Sequence, residues 1–224
     1  MKKGAFYLLV NLIFFSNLAN GKAKMIISIQ DCRNSQLEYL SELKVLKDGK
    51  IFKILNPKYE NQQSLKNLEL GTYSLVYKSL FEKETTQIVK ITEYISYKVE
   101  LCTNFIDYEK ETYKPIINQL KENDSYKVEM SSQGCFHSEK DSFTITRKSQ
   151  DDYYIHWSDK SKKLSEKDIE SIEHFEIELN YMNRFGCTTV DTYSVVYNGN
   201  SNLILDGSCG WDGFIYLRKE IFGK

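Results

Sequence analysis

Proline, histidine and paired cysteines are all scarce in this sequence. It contains 2 prolines and 3 histidines in 224 residues, and none of its 5 cysteines forms a CxxC pair. A structural zinc ion is usually held by four cysteine or histidine ligands at short spacing, whereas only His137 lies near a cysteine, Cys135. The sequence therefore gives little support for a zinc site, and we expect no cofactor.

A charge excess of either sign is also missing. The 30 basic and 31 acidic residues are interspersed and leave a formal net charge of −1. A nucleic-acid-binding protein normally shows a basic stripe, so we expect no nucleic-acid partner. Lysine far outnumbers arginine, and Asn, Tyr and Ile are abundant, which is typical of an AT-rich bacterial genome.

The first 21 residues are typical of a secretion signal. The basic residues Lys2 and Lys3 precede an apolar run over 5–15, and the small residues Ala19 and Gly21 suit cleavage after Gly21. The run is shorter than the roughly 20 residues that a membrane-spanning helix needs, although an uncleaved anchor is the alternative. We expect an exported protein, in the periplasm or outside the cell, with no membrane span after cleavage.

The hydrophobic pattern then divides the chain into two predicted domains. Residues 22–103 show the short alternating runs of strands, 104–124 form a connection, and 125–224 add helical periodicity. The predicted fold class is β plus α+β. A small N-terminal β-sandwich is followed by an antiparallel sheet with two helices on one face, in the order βββαββα.

Turn residues place the predicted elements of the first domain. Asp48-Gly49 predicts a two-residue hairpin turn, since both positions tolerate positive φ. The polar stretch 56–64 is predicted to be a loop, and 65–77 a turn that leads into a strand. Alternation from Ile95 to Leu101 indicates a half-buried strand.

Capping residues and turns place those of the second domain. Ser165 and Asp168 predict a capping box at the start of a helix that reaches about Tyr181 and is ended by Gly186. A short helix is predicted at 115–121 and a terminal helix at 214–222. The predicted strands are 126–130, 142–148, 153–157, and a hairpin of 189–197 with 203–206 around Asn198-Gly199-Asn200.

The segment NLELGTYSLVYKS, Asn67 to Ser79, resembles the strand-entry signature of transthyretin-like modules, which include carboxypeptidase regulatory-like and surface-adhesin repeat domains. In these modules an L-x-x-G-x-Y element leads into a core strand, and the preceding hairpin carries a turn such as Asp48-Gly49. The resemblance covers residues 25–102, and the usual opening motif G-x-V-x-D-x-x-G is absent. It implies a β-sandwich that acts as a spacer or binding scaffold and has no catalytic residues. Residues 125–224 are weakly similar to small exported bacterial α+β domains of unknown function, which implies no activity.

In an oxidising compartment the cysteines are disulfide candidates first. Cys187 and Cys209 flank the last predicted hairpin, whose antiparallel pairing would place them nearly opposite each other. Cys32 and Cys102 lie on the first and last strands of the predicted sandwich. We expect the bridges Cys32–Cys102 and Cys187–Cys209, with Cys135 left over; a link from Cys135 to Cys187 or Cys209 is the alternative.

Two groups of residues are candidates for chemistry. Cys135 and His137 are the only neighbouring thiol and imidazole, so they could form a nucleophile and its base, but no Asn or Asp that would orient the base can be identified. The alternative is a buried or disulfide-bonded cysteine on a strand edge. Asp206 and Asp212 lie in a glycine-rich stretch that could supply oxygen ligands to a cation. A tight turn with glycines at positive φ and Trp211 in the core accounts for the same stretch.

The leading hypothesis is an exported noncatalytic protein with a binding or scaffold role in the bacterial cell envelope. Its partner would be a protein or a surface glycan, for which the 16 tyrosines could provide contacts. One alternative is a secreted thiol-dependent hydrolase that uses Cys135 and His137. The other is a protease-inhibitor-like protein whose exposed loop, such as 56–64, enters the cleft of its target.

Overall fold

The computed structural model describes residues 21–38, 40–57, 60–136, 138–182, 186, 188–208 and 210–223. The predicted signal segment up to Asn20 lies outside the described residues. The chain divides into two compact units. The first contains residues up to Tyr77 and Thr85–Thr103, and the second contains Lys78–Glu84 and the residues from Asn104 onward.

Eight strands are described up to Cys102, and they form two four-stranded sheets. In the first sheet the central strand is β1, which pairs antiparallel with β2 and β5 and parallel with β8. The second sheet has the order β4-β3-β6-β7. The strands are β1 Ala23–Asp31, β2 Gln36–Leu37, β3 Leu43–Lys47, β4 Lys50–Leu55, β5 Gln62–Leu68, β6 Gly71–Lys78, β7 Glu84–Ile91 and β8 Ser96–Cys102.

Alternating apolar side chains join these two sheets into a β-sandwich. Along β1 every second residue is buried, as the period of two of a strand requires, and Met25 and Ile27 are fully buried. Tyr73 and Leu75 of β6 belong to the same core from the opposite sheet. The sandwich agrees with the fold that the resemblance implies, while membership of the transthyretin-like family stays a prediction.

The turn chemistry of the first unit is predicted well, but one loop is not. Asp48 and Gly49 have φ of 49° and 80° and join β3 to β4, so the hairpin is confirmed. Strand β5, however, begins at Gln62, inside the stretch predicted as a loop, and it includes Leu65 and Leu68, which were assigned to a turn. Polar residues dominate β5 because only those two positions are buried.

The second unit is a six-stranded antiparallel sheet, order β12-β11-β10-β9-β13-β14, with two helices. Two short 3₁₀ turns precede it, at Tyr108–Lys110 and Ile117–Gln119. The elements are β9 Ser125–Gln133, β10 Ser138–Ser149, β11 Asp152–Trp157, β12 Lys160–Lys163, α1 Glu166–Asn180, β13 Val190–Tyr197, β14 Asn200–Asp206 and α2 Gly213–Phe222.

Both helices pack on the same side of this sheet, so the predicted fold class, β plus α+β, is confirmed. Phe175 of α1 and Phe214 of α2 each pack against Phe143 of β10, with ring centroids 5.9 and 5.7 Å apart. Neither helix of the described residues has the length and apolar character needed to cross a membrane.

Several details of the second unit differ from the prediction. Strand β12 was not predicted, because its sequence KSKK carries no apolar residue and lies at the sheet edge, where lysine is favoured. Helix α1 ends at Asn180, with its C-cap at Tyr181, five residues before Gly186. The helix predicted at 115–121 is only the 3₁₀ turn Ile117–Gln119.

Candidate binding pocket

A pocket of about 390 Å³ opens in the second unit. Four segments line it: the β13–β14 hairpin, the neighbouring strand β9, the last turn of α1, and the connection that carries Tyr113 and Ile116. Pockets that bind small molecules have volumes of about 300–1,000 Å³, so this one falls at the lower end of that range.

The floor of the pocket is apolar because it is the helix-facing side of the sheet. Val128 of β9 pairs with Val195 of β13, and both belong to the core of the unit. Leu179 of α1 and Ile204 of β14 complete this apolar surface. A ligand in the pocket would therefore rest on side chains that the fold itself holds in place.

The rim of the pocket is made of amides. In the register of the hairpin, Tyr197 pairs with Asn200 and Val195 pairs with Asn202, so both asparagines lie on the helix-facing side. The lining also includes further polar side chains of the turn, strand and helix end: Asn180, Asn198 and Ser201. None of the four asparagine amides forms a side-chain hydrogen bond to another residue within the described part of the chain.

Strand β14 begins on an exposed part of the sheet. By the register of the hairpin, Asn200 and Asn202 lie on the helix-facing side, whereas Leu203 points away from it and is 63% exposed. Both asparagines are also exposed. The two amides at the rim are therefore open to solvent and accessible to a ligand.

A buried carboxyl, Glu176, lies in the wall of the pocket. It is 3% exposed and accepts hydrogen bonds from the Tyr126 hydroxyl, from the Ile116 N–H and, at 3.3 Å, from the Ile117 N–H. Burial raises the pKa of Glu176 to about 7, although these donors favour the charged form. Glu176 thereby anchors the connection that forms one wall of the pocket.

Tyr113 also lines the pocket, close enough to Glu176 to be affected by its charge. Burial, followed by the negative charge of Glu176, raises the pKa of the Tyr113 hydroxyl to about 12. The phenol is therefore neutral at every physiological pH and can both donate and accept a hydrogen bond.

The side chains of this lining are mostly amides, tyrosine rings and aliphatic groups. Among the described residues, those that line the pocket include no Lys, Arg, His, Cys or Asp, and the Ser201 hydroxyl lies 3.0 Å from that of Ser194. A nucleophile would need a base within hydrogen-bonding distance and a group that orients the base. The lining offers amides, tyrosine rings and one carboxyl that is already occupied by three donors.

The candidate thiol lies apart from the pocket. Cys135 is exposed in the bend between β9 and β10 and, among the described residues, forms no disulfide. His137 lies outside the described residues, so the pairing of the two side chains stays a prediction. Of the other histidines, His174 stacks on the Tyr108 ring with centroids 3.7 Å apart, which is a packing contact.

The two candidate cation ligands differ in burial. Asp206 is buried at the end of β14, where it accepts a hydrogen bond of 2.8 Å from the Ser208 N–H, while Asp212 is exposed at the N-cap of α2. Within the described residues, no three His, Cys, Asp or Glu side chains are grouped so that they could hold a metal ion. A cation at Asp206 and Asp212 stays a prediction.

The sequence explained this stretch by glycines at positive φ, whereas Gly213 does not adopt positive φ. Glycine is required there because a Cβ would overlap the indole of Trp211, which is buried as predicted.

The first of the two predicted disulfides is present: Cys32 and Cys102 are bridged, with their Cα atoms 5.2 Å apart. Cys187 and Cys209 lie outside the described residues, so their bridge stays a prediction.

Sequence reasoning missed the two buried glutamates of α1. Glu176 and Glu178 alternate with Phe175, Ile177 and Leu179, and all five residues are buried. Glu178 accepts hydrogen bonds of 2.6 Å from the Tyr108 hydroxyl and of 2.6 Å from the Trp211 indole N–H. The available signal was the segment FEIEL itself, because alternate residues lie on opposite sides of a helix, so its apolar residues indicate a turn that is covered on more than one side and buries its acids with their partners.

No protein family and no curated protein matches this sequence. Among solved structures, the chain is similar to the Bacillus anthracis TIE protein at 10% identity and a TM-score of 0.36, with 83% of this chain and 31% of that chain covered. It is also similar to a streptococcal ancillary pilin at 10% identity and a TM-score of 0.29, with 65% and 59% covered. The chain thus spans less than two thirds of either protein, and similarity at these scores carries no conclusion about function.

Proposed function

We propose that this is an exported, noncatalytic binding protein of the bacterial cell envelope and that the pocket of the second unit is its binding site. The pocket itself carries the proposal. It combines an apolar floor, a rim of amides and a buried carboxyl, and its lining has no nucleophile with a base.

Export is supported by chemistry that is independent of the pocket. The Cys32–Cys102 disulfide is typical of proteins that fold in an oxidising compartment, and the predicted signal segment would direct the chain there. The resemblance of the first unit to transthyretin-like modules supports a spacer or scaffold role for that unit, which would present the second.

The binding role can be tested by retention from envelope extracts. The chain from Lys22 onward is immobilised, and the protein and glycan fractions of an envelope extract are passed over it separately. The test variant, Asn200→Trp, fills the pocket from its rim. The matched control, Leu203→Trp, places the same side chain on the other face of the same strand.

We expect one envelope component to be retained by the wild type and by Leu203→Trp, and to be lost with Asn200→Trp. Equal retention by all three proteins would show that the pocket is not the binding site. Hydrolysis of any envelope substrate that is abolished by Cys135→Ser would replace the proposal with the thiol-dependent hydrolase.

A further inference from the structure

We infer that this pocket takes a neutral saccharide unit, a six-membered sugar ring with free hydroxyls. The inference rests on the proposed binding function and specifies its ligand. Charge, hydrogen-bonding capacity, the exposed amides of β14 and the pocket volume support it.

The pocket is unsuited to a charged ligand. An anion such as phosphate is normally held by Arg or Lys, and the lining of the pocket has neither. A calcium-like cation takes 6–8 oxygen ligands, whereas the one carboxyl here, Glu176, already accepts three hydrogen bonds from the protein. A ligand without charge avoids the cost of leaving an unpaired ion in a half-enclosed site.

The rim matches the hydrogen bonding of sugar hydroxyls. Each hydroxyl both donates and accepts, and each asparagine amide offers two donors and an acceptor in a single group. Asn200 and Asn202 lie on the same side of β14, two residues or about 7 Å apart, a spacing that one sugar ring with its hydroxyls can bridge. Tyr113 and Tyr197 add aromatic rings against which the C–H face of a sugar can pack.

The exposure of these two amides leaves them available to a ligand. Asn200 and Asn202 are exposed beside the apolar floor, which includes Val195 and Ile204. Leucine at the exposed position 202 would remove polar groups from the rim with little effect on stability. The volume of about 390 Å³ suits a ligand of one or two sugar rings.

The test is calorimetric titration of the chain from Lys22 onward with the methyl glycosides of glucose, galactose and N-acetylglucosamine. Glucuronic acid and glucosamine serve as charged counterparts of similar size. The test variant is Asn202→Leu, and Leu203→Asn is the matched control on the outer face. Asn200→Ala is included as a second variant that does not depend on how Asn202→Leu folds.

We expect at least one neutral glycoside to bind with a Kd on the order of 1 mM, as for a small ligand in a half-open pocket, and neither charged sugar to bind. Asn202→Leu should weaken binding at least about tenfold, which is the loss of one to two hydrogen bonds, while its Tm equals or exceeds that of the wild type. Leu203→Asn should leave the affinity within about twofold.

The inference is overturned if no neutral glycoside binds, or if Asn202→Leu and Asn200→Ala both bind as the wild type does. These outcomes can be separated from failure of the proposed function. If Asn200→Trp abolishes retention of an envelope component while every glycoside fails to bind, the saccharide is wrong and the binding pocket stands. If retention is also independent of the pocket, both are wrong.

Discussion

Tyr126 donates a hydrogen bond from its hydroxyl to the carboxyl of Glu176, and the two side chains are 1% and 3% exposed. The N–H groups of Ile116 and Ile117 bind the same carboxyl. These donors favour the charged carboxylate, yet burial penalises it more strongly, so the pKa of Glu176 rises from its ordinary value of 4.5 to about 7. A group that is essential for holding the pocket wall is thus also sensitive to pH.

The first prediction concerns the pH dependence of stability. Because its pKa is higher in the folded state, folded Glu176 keeps a proton that the unfolded chain releases above about pH 4.5. Its contribution to stability is complete below that pH and is lost as the pH rises to about 7, a change of about 3 kcal/mol. Glu176→Gln should remove this part of the slope when Tm is measured between pH 5 and 8.

The control for this measurement is Glu170→Gln, an exposed residue of the same helix. It should keep the slope of the wild type. A slope in Glu176→Gln equal to that of the wild type would show that another group is responsible.

The second prediction concerns the close approach of Gly213 to Trp211. A Cβ at position 213 would overlap the indole ring, whose N–H donates a hydrogen bond of 2.6 Å to the buried Glu178. Gly213→Ala should displace the ring and weaken that bond, with a loss of about 2–4 kcal/mol in the free energy of unfolding. Urea unfolding followed by tryptophan fluorescence measures this loss. The control is Ile215→Ala, at an exposed position of α2, which should change the free energy of unfolding by less than about 0.5 kcal/mol. An unchanged urea midpoint for Gly213→Ala would contradict the prediction.

The third prediction concerns the start of α1. The Ser165 hydroxyl accepts a hydrogen bond of 3.2 Å from the Asp168 N–H, and the Asp168 carboxylate accepts one of 2.8 Å from the Ser165 N–H. Ser165→Ala removes the first of these bonds and should lower the free energy of unfolding by about 1 kcal/mol. Urea unfolding measures this loss, with Ser161→Ala, on the exposed face of β12, as the control. An equal effect of the two substitutions would disprove the role of the cap.

Features that depend on neighbouring residues could be predicted from the sequence. Asp48-Gly49 specifies its turn by the φ angles that these residues tolerate, and Ser165 with Asp168 specifies a helix start by hydrogen bonds three residues apart. The fold class follows from the same local periodicities.

Features that depend on the sheet order could not be predicted. The lysine-rich strand β12 gains its order from pairing with β11, and its sequence shows no apolar period. The sequence predicts Asn200 in the turn, but the turn is closed by Asn198 and Gly199 alone, so β14 begins three residues earlier than predicted. That extension places Asn200 and Asn202 in the pocket, which only the register of the hairpin reveals.

The last prediction concerns the Cys32–Cys102 disulfide. It joins residues 70 apart in sequence, so it removes conformational entropy from the unfolded chain and should stabilise the first unit by about 4 kcal/mol. The variant in which both residues are serine should lose this stability, and Cys135→Ser, at the exposed free thiol, should not. Both tryptophans, Trp157 and Trp211, belong to the second unit, so fluorescence would report on the wrong unit. Hydrogen exchange measured by mass spectrometry over β1 and β8 follows the first unit directly. Equal protection of these strands with and without the disulfide would show that the sheet pairing alone holds them.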